Sequence, residues 1–421
     1  MLLRTCGVRL NTLCLISIVA GAWIYLVFRI DYPNYKELST HEDKMNETSN
    51  KNTLFRPAVD QPYAKHITTS NDPLQKNHQN SKLELLHDKS GSNNSNVMRS
   101  NPLYPLFQSA EEEEFPTADG KLPRIPHIIH QMYADEMIPE MYINHVKSFI
   151  KHNPTWEYRF WTDESGRRLL QKHHPYLVKV YDDFGSSVKR SDLLRYAVLY
   201  EFGGFYADLD MDNLRPLNIT TMKYSCIVPV EPFEHSALLN NMNFLMNNAI
   251  MSCRAKHPFF KLLLTDLQSV NPSGYPVGTT GPGYVTRKFI RYNHISLADA
   301  GRNKTDWTSN SPYFYKGELR EDDNNSVYVP NSQYFMDKLD PIHVKEDGKF
   351  TQLCKGIETL SYLNQRACSE FYRREPLRIN KKYTFTVHHW YHLWEMKKSS
   401  VNELKKINIS DIVSNCILYN G

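Results

Sequence analysis

Three aspartates two residues apart, Asp208, Asp210 and Asp212, begin four residues after the glycine pair 203–204. Carboxylate oxygens are hard ligands, and divalent cations such as Mg²⁺ and Mn²⁺ prefer them. Carboxylates crowded among apolar residues are costly without a counterion, because charges are rarely buried unpaired. The triplet therefore predicts a divalent-cation site, in which one carboxylate ligates the metal while a neighbour bonds a hydroxyl or a metal-bound water.

Other interpretations of the acidic triplet fit the surrounding residues to different degrees. A calcium loop of the EF-hand type needs glycine at its sixth position and glutamate at its twelfth. Counting from Asp208, these places hold Asn213 and Ile219, which excludes that loop. Glycoside hydrolysis needs two carboxylates on opposite sides of the scissile bond, and neighbours on one strand face cannot provide that arrangement. A solvated turn with acidic side chains remains open.

A helix is predicted directly before the aspartates. The stretch SVKRSDLLRYAVLYEFGG places Leu193, Leu194, Ala197 and Val198 at helical spacing. Gly203 follows where a helix commonly ends in a left-handed residue. The pattern therefore predicts a helix that stops at the glycines.

The segment FYADLDM, residues 205–211, is predicted to be a strand after that helix. With the period of two residues typical of strands, Tyr206, Asp208, Asp210 and Asp212 point to one face, and alternate carboxylates lie about 6.6 Å apart. Ligands of open α/β sheets bind at the carboxyl ends of strands, and Asp210 is expected near such an end. The strand would thus present the carboxylates to a ligand.

Asp192 and Arg195 lie three residues apart, so they share one face of the predicted helix. By itself the pair is compatible with a surface ion pair worth about 0.3–0.5 kcal/mol. Because the helix leads straight into the aspartate strand, both residues are also candidates for the same site.

A membrane anchor is predicted near the start of the chain, at residues 10–28, where an apolar run carries no charge. Its length is close to the ~20 residues that a helix needs to cross a bilayer. Arg4 and Arg9 precede the run and Asp31 follows it, which places residues 1–9 in the cytosol as a short tail. A cleaved signal peptide is the competing interpretation.

The rest of the chain divides into a stem and a folded body. Residues 29–118 are polar and are predicted to be a largely disordered stem, since they cannot bury enough apolar surface to fold alone. Residues 119–421 alternate strand signals, such as IPHIIHQM, WEYRFWT and CIVPVE, with helical periodicity. With 421 residues the chain has room for one α/β domain with a largely parallel sheet in addition to the anchor and stem.

Glycosylation and cysteine signals agree with a lumenal body. N-x-S/T sequons begin at Asn46, Asn93, Asn218, Asn303, Asn324 and Asn408. Cysteines beyond the anchor are Cys226, Cys253, Cys354, Cys368 and Cys416. None has zinc-site spacing, so we interpret them as structural, with Cys354 and Cys368 near enough in sequence to close a loop by a disulfide. The formal net charge of +4 is too small to predict a nucleic acid partner.

Taken together, SDLLRYAVLYEFGGFYADLD resembles the DxD region of one family of retaining glycosyltransferases. That family includes initiation-specific mannosyltransferases, inositol-phosphoceramide mannosyltransferases and, more distantly, globotriaosylceramide synthase and large glucosylating bacterial toxins. The segments IPHIIHQMY, NPTWEYRFWTD, NAIMSCRAKHPFF, TTGPGYVTR and HHWYHLW extend the resemblance from about residue 125 to 394. The resemblance implies a GT-A fold, a Rossmann-like α/β domain that binds nucleotide sugars.

The resemblance also implies roles for individual residues. It implies nucleotide-sugar contacts for Asp192, Tyr206, Asp208 and Trp394, catalytic roles for Arg195 and Asp210, and metal ligands in Asp208, Asp210 and His388, with His389 as the second choice. Asp212 has no role in it beyond supporting the loop. The sequence departs from the family at HHWYHLW, because His392 and Leu393 stand where many members have glycine and serine.

The function implied is metal-dependent transfer of a hexose, with Mn²⁺ or Mg²⁺, from a nucleotide sugar to a glycolipid or glycan acceptor. The leading hypothesis is transfer of mannose from GDP-mannose to an inositol-phosphoceramide acceptor. A galactosyltransferase that uses UDP-galactose on a glycosphingolipid or N-glycan is the alternative, and an inactive, lectin-like protein of the same fold is a third. A short anchor before a lumenal domain is typical of the Golgi membrane, where we expect the protein, with no nucleic acid as partner.

Overall fold

The computed structural model describes residue 115 and residues 122–294, 313–315, 324–374, 379 and 381–420. These residues belong to one compact unit, residues 98–421. The predicted anchor at residues 10–28 lies outside them. Among the helices that are described, none combines the length and apolar character needed to cross a bilayer.

The elements that the structure describes alternate strands with helices. The strands are β1 Ile128–Met132, β2 Met137–Pro139, β3 Glu157–Trp161, β4 Gly204–Ala207, β5 Met211–Asn213, β6 Cys226–Ile227, β7 Ile250–Cys253, β8 Tyr313–Tyr315, β9 Val327–Val329, β10 Thr386–His388, β11 Lys406–Asn408 and β12 Ile417–Leu418. The helices are α1 Ile143–His152, α2 Asp163–His173, α3 Pro175–Asp183, α4 Ser187–Phe202, α5 Phe233–Asn240, α6 Pro258–Asp266, α7 Pro276–Thr279, α8 Pro282–Tyr292, α9 Ser332–Phe335, α10 Pro341–Val344, α11 Lys349–Cys354, α12 Tyr362–Arg373, α13 Lys398–Asn402 and α14 Ile409–Ile412.

The main sheet has the strand order β12-β3-β1-β4-β7-β6-β9-β8 within the described ranges. β12, β3, β1 and β4 run parallel, as expected where helices connect successive strands. β7 runs antiparallel to both β4 and β6, and β8 runs antiparallel to β9. β6 and β9 are parallel to each other. The sheet is therefore mixed, and the prediction of a largely parallel sheet holds only in part. Alternating strand and helix signals do not encode the direction of short strands joined by loops.

The helix before the aspartates ends as predicted. α4 stops at Phe202, and Gly203 has a positive φ of 66° while its N–H donates to Leu199 O. A Cβ at Gly203 would lie 2.6 Å from the backbone nitrogen of Ala255, so a side chain there collides with the β7 loop. The buried His130 ring also bonds Gly203 O at 2.8 Å. Glycine is thus required both for the conformation and for the close approach.

The aspartates do not lie on one continuous strand, which corrects the prediction. β4 ends at Ala207, and a turn follows in which Met211 N donates to Asp208 O at 3.3 Å. β5 then leaves the main sheet and pairs antiparallel with β10 in a separate ribbon. Period-two reasoning cannot show where a strand leaves its sheet, because apolar and acidic residues still alternate through the turn.

Side chains of the central strands alternate between two apolar cores on the two faces of the main sheet. Tyr206 and Met251 join one core, while Phe205, Ala207 and Ile250 join the other. A third, smaller apolar cluster lies around α5, α11 and α12. The sheet is therefore covered on both faces, as the α/β class requires.

Phe115 corrects the predicted boundary of the stem at residue 118. Its side chain is 2% exposed and packs edge-on against Tyr334 and Phe385 at ring distances of 5.0 and 5.3 Å. A lone phenylalanine in an acidic run gives no periodic signal, so composition alone assigned it to the stem. The folded body therefore includes Phe115.

Two disulfides cross-link the described part of the chain. Cys354 is joined to Cys368, as their spacing suggested, and the bridge ties α11 to α12. Cys226 is joined to Cys253 across the neighbouring strands β6 and β7. Cys416 is a free thiol.

Candidate functional site

The turn after β4 and the end of β10 bring Asp208, Asp210 and His388 together. One potential ligand atom of each lies within 4.8 Å of the others. His388 Nε2 is 3.2 Å from Asp210 Oδ1. The Tyr391 N–H donates to the other oxygen of Asp210, Oδ2, at 3.0 Å. The ribbon of β5 and β10 begins just after β4 ends, so pairing of β10 with β5 brings His388 beside the turn that carries Asp208 and Asp210.

Arg195 lies directly behind the cluster. Its Nη1 is 3.2 Å from Asp208 Oδ1 and donates to Asn248 O at 2.5 Å. Its guanidinium carbon lies 4.5 Å from the centroid of the Tyr206 ring, and the Tyr206 hydroxyl donates to Asp208. Arg195 and Asp192 are 4% and 3% exposed, so the interpretation of this pair as a surface ion pair is wrong.

Asp192 is held entirely by neighbouring protein groups. Its Oδ1 accepts a hydrogen bond from Asn248 Nδ2 at 2.8 Å and lies 3.4 Å from Arg195 Nη2, and its Oδ2 accepts one from the Thr280 hydroxyl at 2.6 Å. Burial raises the pKa of Asp192 to about 6, while the charge of Arg195 opposes that rise. This carboxylate joins α4 to the loop before α8, and its contact with a ribose stays a prediction.

Asn248 and Thr280 are site residues that sequence reasoning did not single out. Both belong to segments that carry the family resemblance: Asn248 is the first residue of NAIMSCRAKHPFF, and Thr280 lies in TTGPGYVTR. Both side chains are buried, at 5% and 0% exposure. Their segments were a usable signal, but contacts to Asp192 across 56 and 88 residues of sequence could not be predicted.

The pKa values of the two carboxylates in the cluster shift in opposite directions. Burial raises the pKa of Asp208, although the charge of Arg195 opposes it. For Asp210 burial also acts to raise the pKa, but the His388 ring and the Tyr391 amide outweigh it and hold the pKa well below the usual range. Asp210 is therefore ionised at neutral pH and offers a full negative charge.

The residues present fit a divalent cation. Two carboxylates and an imidazole form a donor set that suits Mn²⁺ and tolerates Mg²⁺. The Nδ1 atom of His388 is buried and has no hydrogen-bond partner in the part of the chain that the structure describes. A buried polar atom without a partner is costly, so the ring of His388 has capacity for one further interaction.

His389 and Asp212 belong to a different cluster from His388 and Asp210. His389 Nε2 bonds Asp212 Oδ2 at 2.8 Å, and His145 Nδ1 bonds Asp212 Oδ1 at 2.6 Å. The adjacent histidines therefore serve two neighbouring aspartates, one each. Sequence reasoning missed His145, which lies in an ordinary amphipathic helix with no motif around it.

The departures from the family signature have a structural counterpart at His392. This residue has a φ of 50°, in the left-handed region where glycine is favoured. Its ring bonds Asp340 Oδ2 at 2.8 Å. The bond from the His392 side chain to Asp340 thus stabilises a left-handed backbone conformation that glycine adopts at little cost. Leu393 is partly buried and packs against the apolar core that contains Phe205 and Ile250.

Trp394 is 39% exposed, and its ring centroid lies 6.2 Å from that of Tyr275. Tyr275 precedes α7, which leads into the Thr280 loop. The Trp394 ring is therefore partly accessible to solvent. A contact between Trp394 and a nucleotide sugar stays a prediction.

Comparison with known families identifies the central part of the chain. Residues 139–227 match the family described as "Glycosyltransferase sugar-binding region containing DXD motif". This range contains Asp192, Arg195 and the three aspartates. The resemblance inferred from the sequence is therefore confirmed.

Similar curated proteins include enzymes of two yeasts. Inositol phosphoceramide mannosyltransferase 1 of Schizosaccharomyces pombe is 29% identical over 42% of this chain and 54% of its own length. Mannosyl phosphorylinositol ceramide synthase SUR1 of Saccharomyces cerevisiae is 30% identical over 45% of this chain and 48% of its own length. The matched segments thus span about half the length of these relatives.

Similar solved structures are more distant. A structure described as "PaToxG Glycosyltransferase" has 16% sequence identity and a TM-score of 0.32, and the match covers 41% of this chain and 71% of that one. The ligand-free glycosyltransferase domain from the YGT toxin has 10% identity and a TM-score of 0.23, and the match covers 34% of this chain and 62% of that one. TM-scores this low do not define a common fold, and the α/β class rests on the strands and helices described above.

Proposed function

We propose that this chain, with its DXD-containing sugar-binding region as the core, is a metal-dependent retaining glycosyltransferase of the GT-A fold. The observation that carries the proposal is the cluster of Asp208, Asp210 and His388 backed by the buried Arg195. It combines a cation site with a fixed positive charge at the end of a β-strand, where ligands of α/β sheets bind.

The reaction requires stabilisation of the departing nucleoside diphosphate. A divalent cation held by Asp208, Asp210 and His388, Mn²⁺ in the leading proposal, would supply positive charge where negative charge develops. Arg195 keeps Asp208 in place and balances its charge. The Tyr391 amide holds one oxygen of Asp210 and leaves the other towards His388. Charges and donors held in fixed positions by the protein make electrostatic stabilisation effective.

The leading donor and acceptor are GDP-mannose and an inositol-phosphoceramide glycolipid. The support is the identity to relatives whose names state mannosyl transfer to inositol phosphoceramide. The DxD turn itself does not discriminate among nucleotide sugars, because it addresses groups that all of them share.

A Golgi location and a single-pass anchor complete the proposal. The support is the apolar run at residues 10–28, the sequons and the two disulfides, which suit an oxidising lumen. In this arrangement the sugar-binding region faces the lumen, and a glycolipid acceptor is reached at the same membrane that holds the anchor.

The test is a panel of nucleotide sugars incubated with the purified chain and Mn²⁺, scored by release of the free sugar in the absence of acceptor. We expect hydrolysis of GDP-mannose above all other donors, and its loss with Asp210→Asn. Selective hydrolysis of a UDP-sugar would overturn the donor assignment. Binding of a donor without any turnover, on water or on added acceptors, would favour a lectin-like protein over an enzyme.

A further inference from the structure

A second polar cluster lies beside the proposed metal site. His145, Asp212 and His389 place one nitrogen or oxygen each within 4.8 Å of one another. The Tyr391 hydroxyl bonds His145 Nε2 at 2.9 Å and extends the cluster. His145 is buried, while Asp212 and His389 are partly exposed. The proposed sugar transfer uses none of these side chains.

The hydrogen bonds in this cluster are mutually consistent. If the Tyr391 hydroxyl donates to His145 Nε2, the other ring nitrogen carries the proton and donates to Asp212. His389 Nε2 donates to the second oxygen of the same carboxylate. Nitrogen–oxygen distances of 2.6 and 2.8 Å are those of hydrogen bonds with a proton between the atoms. The three groups therefore satisfy one another and do not form an open cation site.

Helix α1 secures the free edge of the ribbon that carries Asp212. His145, Ser148 and His152 recur at i, i+3 and i+7, so they share one face of the helix. Ser148 Oγ accepts a hydrogen bond from Asn213 N at 2.8 Å, and His152 Nδ1 donates to Asn213 O at 2.8 Å. Side chains of α1 thus replace a third strand beside β5.

On the other side of the ribbon, β10 leads into a turn of residues 388–392 that begins with the proposed metal ligand His388. The His389 N–H donates to Asp210 O at 2.9 Å, and the Tyr391 N–H donates to the Asp210 carboxylate. Trp390 between them has a φ of 58°, a conformation that residues with a side chain rarely adopt. Such a conformation persists where the surroundings over-determine it. The Asp212–His389 bond and the His392–Asp340 bond hold this turn from both ends.

We propose that Asp212, together with His145 and His389, is a positioning group for the metal site. It fixes the His388–His392 turn against β5. Once fixed, this turn orients the carboxylate of Asp210 and the ring of His388. The inference rests on the proposed cation site of Asp208, Asp210 and His388. It assigns to the third aspartate of the triplet a role different from those of the first two.

The experiment measures the dissociation constant of Mn²⁺ for the purified full-length chain, from the electron paramagnetic resonance signal of free Mn²⁺. Asp212→Asn keeps the size of the side chain but places an amide N–H against one histidine N–H. Two donors then face each other, and one of the two hydrogen bonds to residue 212 is lost. We expect binding about 10- to 100-fold weaker, as for removal of other groups that orient metal ligands. Asp182→Asn, which removes an exposed carboxylate paired with Arg167, is the matched control and should bind Mn²⁺ like the parent.

A pair of substitutions at His389 separates positioning from general destabilisation. In His389→Gln the side-chain amide places a donor near the position of the ring Nε2, so Mn²⁺ affinity should stay near that of the parent. In His389→Leu no donor remains, and affinity should fall as in Asp212→Asn. Equal affinities in the Gln and Leu variants would overturn the proposal, and this comparison remains available if Asp212→Asn fails to fold.

Asp210→Asn distinguishes the inference from the function on which it rests. If this variant binds Mn²⁺ as the parent does, the proposed metal site itself is wrong. If it loses binding while Asp212→Asn retains parental affinity, only the positioning role is wrong. A stoichiometry of two Mn²⁺ per chain, reduced to one by Asp212→Asn, would show that His145, Asp212 and His389 are themselves ligands and would overturn the positioning role.

Discussion

Asp210 is held from two directions at the end of the DxD turn. The His388 ring faces one of its oxygens, and the Tyr391 amide donates to the other. Both interactions favour the ionised carboxylate, against the effect of burial. Asp210 also groups with Asp208 and His388, whereas both oxygens of Asp212 are bonded to His145 and His389, which favours Asp210 over Asp212 as the central ligand.

We therefore expect Asp210→Asn to lower the rate of transfer or donor hydrolysis by about 10²-fold or more, the scale found when one stabilising group is removed from an active site. The amide is a poor ligand, yet its oxygen still accepts the Tyr391 hydrogen bond, so the fold should persist. Turnover rates and circular dichroism of parent and variant check both statements. Parental activity in the variant would refute the assignment of Asp210.

Arg195→Lys tests the charge behind the cluster. Lysine has a compact ammonium group and cannot reproduce the planar fork that spans Asp208, Asp192 and Asn248 O. We expect activity to fall sharply and the free energy of unfolding to drop by about 1–3 kcal/mol, because buried acceptors lose their donors.

The matched control for Arg195→Lys is Arg167→Lys, since Arg167 pairs with Asp182 at the surface with both side chains more than a third exposed. Exposed ion pairs contribute little to stability, so this variant should remain near the parent in urea unfolding. Similar, small losses for both substitutions would place Arg195 among ordinary structural residues.

At the scale of elements, the site depends on a helix, a glycine pair, a short strand and a ribbon in succession. α4 delivers Arg195, Gly203 allows the reversal into β4, and the turn after β4 hands the chain to β5. β10 then brings His388 from 178 residues further along the chain to Asp210. Each connection places one group of the cluster, so the elements determine its geometry together.

The left-handed turn at His392 gives a prediction at this scale. His392→Ala loses the bond to Asp340 and keeps a side chain at positive φ, whereas His392→Gly loses the same bond but relaxes the backbone. We expect the alanine variant to be less stable than the glycine variant by about 1 kcal/mol, from the cost of a left-handed conformation. Urea unfolding of the two variants measures the difference.

Lys179 supplies the control for His392, because it is exposed within the helix α3. There alanine should be more stable than glycine by about 0.5–1 kcal/mol, the usual helix preference. The order of the two variants should thus be reversed between the two positions. If alanine were more stable than glycine at both positions, the positive φ of His392 would carry no strain.

At the scale of the whole molecule, Phe115 connects the end of the predicted stem to the folded body. The ring is buried among aromatic side chains, as described above. Phe115→Ala should lower the free energy of unfolding by about 3–5 kcal/mol, the range for large-to-small substitutions of buried aromatic residues. Thermal and urea unfolding of the purified chain measure this loss.

Truncation tests the same boundary and the role of the anchor. Removal of residues 1–97, up to the border of the compact unit, should leave a domain that is active on small soluble acceptors. Removal of residues 1–118 should give a less stable domain, because Phe115 is lost with them. Equal stability of the two would contradict the packing of Phe115, and a folded but inactive 98–421 domain would show that the first segment contributes to the reaction.

Sequence alone determined the local features of this protein. Spacing and residue type predicted the helix that ends at Gly203 and the α/β class, and they suggested the loop closed by Cys354 and Cys368. The DxD region was recognised by its resemblance to a known family. These properties arise from neighbours in the chain, such as helical periodicity, a residue without Cβ and a short loop. The grouping of Asp208, Asp210 and His388 agrees with the motifs, although its metal stays a prediction.

Only the tertiary structure decided which groups meet. The break of the aspartate strand into turn and ribbon, the burial of Arg195, and the contacts of Asp192 with Asn248 and Thr280 depend on segments far apart in sequence. The division of the histidine pair between Asp210 and Asp212 likewise requires the path of β10 past β5 and the position of α1. Side-chain hydrogen bonds of this kind form wherever packing of the sheet and helices brings donors and acceptors together, and a one-dimensional pattern does not contain that information.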